Sequence, residues 1–192
     1  MFVQKKIIVI SFLISIVLLS GCIEDTENGD PVNISNNTSS VSDNISVSDN
    51  FSLDSMVIVE QLPDGYEILG TLPISDYNEY SGSIVDAREG AYRDTDNLDV
   101  FLDIIELNSE QAALELISNY QSQYKPLAIG DRFTTIHFNG HDATRITQYK
   151  NSGGTQLPKY QVIWNNENMV FNVRSNSHLE SSSLELAKAT GH

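Results

Sequence analysis

The chain has 192 residues and a formal charge of −15, with 26 acidic against 11 basic side chains. Such a charge repels nucleic acid and anionic lipid headgroups, so the composition excludes a nucleic-acid-binding function. The single cysteine excludes an intrachain disulfide, while the 40% of hydrophobic residues suffices for one core of ordinary domain size.

Near the N terminus, an apolar run follows two lysines and ends in small residues before the cysteine. Lys5-Lys6 precedes the apolar residues 7–19, and Ser20-Gly21 separates them from Cys22. This order is that of a secretory signal peptide, and the run is shorter than the roughly 20 residues of a membrane span. The alternative is a short transmembrane anchor with an incidental cysteine.

The stretch Leu19-Ser20-Gly21-Cys22 resembles the lipobox of prokaryotic lipoproteins, in which a branched apolar residue and two small residues precede a cysteine. The resemblance implies that residues 1–21 are a signal peptide and that Cys22 becomes the lipidated first residue. Lipid chains partition into a bilayer at about 0.8 kcal/mol per buried CH2, which would hold the protein on the outer face of the membrane. Losing two lysines and no acid leaves the mature chain at −17.

Residues 22–52 are predicted to form a disordered tether. They are rich in Asn, Ser, Asp and Thr, and they cannot bury enough apolar surface to offset the entropy of ordering. All the Asn-x-Ser/Thr sequons lie in this segment, which favours a glycosylated tether, although such a composition also produces sequons by chance. Together with the lipobox they suggest an archaeal cell surface. The sequons begin at Asn33, Asn36, Asn37, Asn44 and Asn50.

The predicted head, residues 53–192, begins with short apolar segments typical of strands. Met56–Val59 is the first of these, and residues 66–72 predict a second after the turn sequence Pro63-Asp64-Gly65. The polar and aromatic residues 75–82 predict a loop.

The next two segments predict strands of the same sheet. Residues 83–93 favour a strand with a break at Gly90, although their apolar spacing fits neither a strand nor a helix cleanly. Residues 98–107 carry apolar side chains at both odd and even positions. They therefore predict a central strand that is buried on both faces.

The first long helix is predicted after this strand. Asn108 can cap it, with Gln111 three residues further on, and Pro126 ends it. Apolar side chains at helical spacing give it one buried stripe. The members of the stripe are Ala113, Leu116, Ile117, Tyr120 and Tyr124.

A β-hairpin is predicted around Asn139-Gly140, with arms over residues 132–138 and 141–150. A two-residue turn fixes the register and places His137 opposite Asp142, with the carboxylate within reach of the imidazole. We interpret the two as a structural pair, because a catalytic dyad would need a third reactive group.

A second hairpin follows a predicted flexible loop at residues 151–154. A turn centred on Asn166-Glu167 would set Trp164 opposite Met169 and gather the apolar side chains on one face. The sequence Ser177–Glu180 then predicts a capping box that starts a terminal helix, which Gly191 can close.

These elements predict an α+β fold, in which two helices cover one face of an antiparallel sheet as a two-layer sandwich. Gly90-Ala91-Tyr92 before the long strand, Asn139-Gly140-His141 at the hairpin and residues 160–164 resemble the PsbP-like α+β domains of small prokaryotic lipoproteins. The resemblance spans residues 56–192. It implies a binding or assembly module and supplies no catalytic residue.

Two possible metal sites are rejected on the sequence. His137 and His141 are four residues apart, but on the predicted hairpin they face opposite sides of the sheet. Asp94, Asp96 and Asp99 lie close together without the glycine and ligand spacing of a calcium loop, so we interpret them as a solvated acidic turn. We therefore predict no metal and no cofactor.

The leading functional prediction is a non-catalytic protein, anchored by lipid on Cys22, whose head binds a protein partner or a small ligand. The chain has no signature of a serine hydrolase, a zinc protease or a nucleotide-binding loop. Tyrosines that could line a ligand pocket, or pack with their hydroxyls in water, are Tyr66, Tyr77, Tyr80 and Tyr92. The alternative function is an extracytoplasmic hydrolase that acts through acidic residues, with candidates Asp64, Asp86, Glu89 and Asp103.

Overall fold

The fold is that of a computed structural model, and the residues that it describes are 52–76, 80 and 82–192. The predicted signal peptide, Cys22, nearly all of the tether and its five sequons lie outside the described residues, as does Tyr77. No helix in the described part of the chain combines the length and the apolar character needed to cross a bilayer.

In the described part of the chain, seven strands form one antiparallel sheet, which confirms an α+β fold. The elements are α1 (Leu53–Met56), β1 (Glu67–Pro73), β2 (Ile84–Arg93), β3 (Asp99–Leu107), α2 (Glu110–Ser122), β4 (Phe133–Phe138), β5 (His141–Ser152), β6 (Thr155–Asn166), β7 (Met169–Ser175) and α3 (Glu180–Ala189). The strand order is β1-β2-β3-β7-β6-β5-β4. Two meanders, β1 to β3 and β4 to β7, meet where β3 pairs with β7, and helix α2 connects β3 to β4 at the far edge.

The two longer helices cover opposite faces of the sheet. On β3, Ile104 packs in the cluster that contains Leu186 of α3, whereas the adjacent Ile105 packs in the cluster that contains Leu116 of α2. Successive side chains of a strand point to opposite faces, so we name these the α3 face and the α2 face. The predicted two-layer sandwich is therefore wrong, because a strand that is apolar on both sides needs cover on both.

The segment predicted as the first strand, Met56–Val59, is not a strand: Met56 ends the single helical turn α1, and the residues after it are irregular. Ser52 caps α1, and Val57 and Val59 are buried on the α3 face. The hydroxyl of the fully buried Tyr92 donates to the carbonyl of Val57 and accepts from the N–H of Val59.

The predicted break at Gly90 is also wrong, since β2 runs through it. A Cβ there would lie 2.7 Å from the carbonyl oxygen of Val57.

The hairpin of β4 and β5 has the predicted turn and register. Asn139 and Gly140 have φ of 50° and 82°, as a two-residue turn of this type requires. His137 pairs with Asp142, and the Nδ1 and Oδ1 atoms of the two side chains are 2.5 Å apart. Both side chains are exposed, at 72% and 80%, so the predicted contact forms on the surface of the sheet.

The predicted flexible loop at residues 151–154 is instead a second tight turn. Gly153 and Gly154 have φ of 58° and 86°, and β5 and β6 pair up to Ser152 and Thr155. This pairing continues past the ends of β4 and β7. The outer parts of β5 and β6 therefore form a two-stranded ribbon beyond the sheet.

The hairpin of β6 and β7 keeps the predicted apolar face, but its register differs by two residues. The turn is Glu167-Asn168, so Trp164 pairs with Phe171 and not with Met169. The cause lies in β3. The backbone oxygen of Asn168 accepts from the N–H of Leu107 at 2.9 Å, and its side-chain amide donates to the Leu107 carbonyl at 2.8 Å.

The helix ends differ in detail from the prediction. Ser109, rather than Asn108, caps α2 by accepting a backbone N–H of the first turn. The predicted capping box of α3 does not form: the helix begins at Glu180 with no side-chain hydrogen bond at its N-cap, and the carboxylate of Glu180 accepts instead from Arg145 at 2.8 Å. Gly191, with a φ of 75°, follows the end of α3 as predicted.

Candidate ligand-binding cleft

The predicted tyrosine pocket does not form. Tyr92 is buried on the α3 face, where Tyr66 also packs and donates to the carbonyl of Ser182 at 2.8 Å. Tyr80 is buried on the α2 face and stacks on Tyr120, with 5.4 Å between the ring centroids. The sheet thus separates the described members of the set.

Two of the four acidic candidates are brought together and two are not. Asp64 is exposed in its turn, and Asp86 pairs with Arg88 at 2.6 Å. Glu89 and Asp103 lie directly opposite each other on β2 and β3. Strand pairing therefore creates a carboxylate pair that spacing along the chain does not reveal.

A row of polar side chains extends from this pair across β2, β3 and β7. Asp103 is fully buried. Its Oδ1 accepts from Arg174 at 2.9 Å, and its Oδ2 accepts from the Tyr80 hydroxyl. Arg174 also donates to Glu89 at 2.8 Å, and Asn172 donates to Tyr80 at 2.8 Å. Both oxygens of Asp103 are thus occupied by partners within the fold.

Burial and neighbouring charge set the ionisation of this row. Burial, and then the charge of Asp103, raise the pKa of Glu89, while Arg174 opposes the rise. Burial and Asp103 also raise the pKa of Tyr80 well above its usual value, so its hydroxyl keeps its proton and donates. The buried Oδ1 of Asn172 has no hydrogen-bond partner among the described residues.

An open cleft of about 340 Å³ lies beside this row at the C-terminal end of α2. The hydroxyl of Tyr124 donates to Oε1 of Gln161 at 3.1 Å and accepts from the amide of Gln148 at 3.2 Å. These contacts fix the orientation of both amides. The lining residues are Tyr120, Gln123, Tyr124, Gln148, Gln161 and Arg174.

None of these residues was predicted to line a site, although their positions carry a signal. On β5 and β6, the side chains of the α2 face change from apolar to polar with distance from α2. Ile146 is followed on that face by Gln148 in β5, and Ile163 is preceded by Gln161 in β6. Where a helix is too short to cover the whole face of a sheet, the uncovered positions carry polar side chains. A change from apolar to polar side chains along one face of a strand therefore indicates where the cover ends.

The acidic turn predicted to be solvated is partly buried. Oδ1 of Asp94 accepts the N–H groups of Asp96 and Leu98, and its Oδ2 accepts from the hydroxyl of Ser182 at 2.8 Å. Asp94 thus links this turn to α3. In the part of the chain that the structure describes, no three His, Cys, Asp or Glu side chains are grouped so as to hold a metal ion.

Comparison with known proteins found no match. No protein-family model, no curated protein and no solved structure matches the chain.

Proposed function

We propose that the head is a non-catalytic binding module, and that the cleft beside α2 binds a small polar ligand. The observation that carries the proposal is the change of the α2 face from apolar to polar where α2 ends. There, oriented amides and tyrosine hydroxyls converge on an open cavity. A few convergent polar groups in a concave surface are typical of ligand sites. Amides and hydroxyls both donate and accept, so the cleft suits a ligand that is rich in hydroxyl or amide groups.

Thermal unfolding of the full-length chain with added compounds tests this proposal. The panel contains named monosaccharides, amino acids, dicarboxylates and sugar phosphates. A ligand that binds only the folded state raises the midpoint. We expect at least one compound to raise it in the wild type but not in Gln161→Ala, with Asn165→Ala as a control outside the cleft. The proposal is contradicted if no compound of the panel raises the unfolding midpoint of the wild type.

The second part of the proposal is that Cys22 carries lipid and holds the head at the outer face of the cell membrane. It is supported by the lipobox resemblance and by an apolar run too short for an ordinary span. Cys22→Ala is expected to move the protein from the membrane to the soluble fraction, and intact-mass spectrometry of the wild type is expected to show residues 1–21 removed and lipid added. An unmodified full-length mass would contradict this.

A hydrolase is the second candidate, and one observation favours it. Glu89 and Asp103 face each other, and the raised pKa of Glu89 is typical of an acid–base pair. Binding is the better supported function, because Asp103 is fully buried and both of its oxygens are occupied. Mass spectrometry of oligosaccharides and peptides incubated with the protein would favour hydrolysis only if cleavage occurred and was lost in Glu89→Gln.

A further inference from the structure

The cleft continues along the α2 face towards the ribbon through two more cavities. The middle cavity, of about 210 Å³, shares Gln148, Gln161 and Arg174 with the cleft. The end cavity, of about 290 Å³, shares Lys159 and Asn176 with the middle one. We call the three cavities together the groove. Three adjoining cavities suit an extended ligand better than a single compact one.

The groove differs in charge from the rest of the protein. The chain has 26 acidic and 11 basic side chains, yet none of the described residues lining the three cavities is acidic. Arg174, Lys150 and Lys159 are its cations. Because Glu89 and Asp103 beneath the groove balance the charge of Arg174, the two lysines give the groove its positive charge.

The two lysines lie close together without a carboxylate. Gln148 pairs with Lys159 and Lys150 pairs with Leu157, so the lysines are diagonal neighbours on one face of the ribbon. Burial, and then the charge of Lys150, lower the pKa of Lys159. Neither lysine forms an ion pair with another described residue, and the ammonium of Lys159 donates only to Oδ1 of Asn176, at 2.7 Å. A bound anion would relieve this repulsion.

We propose that the groove binds a carboxylated oligosaccharide. Its carboxylates contact Lys150 and Lys159, and its hydroxyls contact the amides of Gln148, Gln161 and Asn176. The inference rests on the proposed binding function of the cleft and names its ligand class. Charge-assisted contacts hold the carboxylates, and side chains that both donate and accept match the hydroxyls. An acidic peptide is a poorer fit, because extended peptides add to a sheet edge and acidic motifs bind clusters of arginines, whereas the groove lies on a sheet face and its one arginine is paired with Glu89 and Asp103.

Isothermal titration of the full-length chain, purified in mild detergent, tests the inference with an oligogalacturonate. The neutral probe is the methyl ester of the same oligosaccharide, and poly-L-glutamate is the peptide probe. We expect the acid to bind at least about tenfold more tightly than its ester, with an affinity that falls as salt is added. Lys150→Gln is expected to weaken binding several-fold. Lys188→Gln, an exposed lysine on the α3 face, is expected to leave it unchanged.

Each alternative result identifies what is wrong. Equal affinity for the acid and its ester, or an equal effect of Lys150→Gln and Lys188→Gln, would overturn the inference and leave the binding function in place. Tighter binding of poly-L-glutamate would replace the oligosaccharide with an acidic peptide. If neither oligosaccharide binds while a panel compound raises the unfolding midpoint, only the ligand class is wrong. If neither the oligosaccharides, the peptide nor any panel compound binds, the proposed function is wrong as well.

Discussion

At the scale of single residues, Asp103 holds the polar row of the α2 face together. A buried carboxylate is tolerated only when charged or polar partners replace water, and Tyr80 and Arg174 do so here. Tyr80 in turn stacks on Tyr120 of α2. The buried row thereby fixes one wall of the cleft.

Asp103→Asn is therefore expected to destabilise the head. The substitution keeps the shape but removes the charge that Arg174 requires, at a cost of about 2–4 kcal/mol in the free energy of unfolding. Urea unfolding measures this, with the exposed Asp96→Asn as a control that should change the free energy by less than about 0.5 kcal/mol. Equal effects of the two substitutions would show that Asp103 does not organise the row.

Glu89 gives the stability a pH dependence whose sign follows from its raised pKa. Its stabilising contribution is present below the usual value of 4.5 and is lost as the pH rises through the folded pKa, because the folded state holds the proton more tightly than the unfolded state does. We expect wild type to lose stability relative to Glu89→Gln from near pH 4.5 upward in urea unfolding. If wild type instead gains stability relative to Glu89→Gln as the pH rises, the folded-state pKa of Glu89 is lowered by Arg174 and the account is contradicted.

At the scale of elements, Asn168 sets the register of the last hairpin. Its two hydrogen bonds to Leu107 extend the pairing of β3 and β7 into the turn. Loss of the side-chain bond in Asn168→Ala should cost about 1 kcal/mol in urea unfolding. Asn165→Ala, which loses only a long contact of 3.4 Å, should cost less. If Asn165→Ala costs as much, the turn is not held through Leu107.

The hairpins show what the sequence could predict. The register of β4 and β5 is correct because a two-residue Asn-Gly turn fixes it locally. The register of β6 and β7 is wrong because a contact with β3, distant in sequence, decides it. The same limit applies to the cleft. Glu89, Asp103 and Arg174 meet only because β2, β3 and β7 are neighbours, an order that no local signal encodes.

At the scale of the whole head, the sheet of the described residues is the middle of three layers, and its cover is uneven. Apolar periodicity predicted both helices. The face that each one covers depends on the paths from β3 to β4 and from β7 to the C terminus, which composition does not specify. On the α3 face, α1 and the residues that follow it complete the core. On the α2 face, α2 leaves one end of the sheet uncovered, and the groove lies there.

Truncation tests the boundary of the head. A chain that begins at Ser52 keeps the cap of α1 and the buried Leu53, Val57 and Val59, so we expect it to unfold at the midpoint of the full chain. A chain that begins at Leu62 loses those apolar side chains, and its midpoint should fall by at least about 10 °C. Circular dichroism measures both. A lower midpoint for the chain beginning at Ser52 would show that the preceding residues contribute to the core.

The most direct test of the binding cleft is the NMR signal of its own amides. In the chain beginning at Ser52, the side-chain amide resonances of Gln148 and Gln161 are followed while the oligogalacturonate, and then each compound of the panel, is added. We predict saturable shifts of both, with the amide of Asn139, which donates to the carbonyl of Lys188 on the α3 face, unmoved. If no compound moves Gln148 or Gln161, the cleft is not a binding site and the proposed function is wrong.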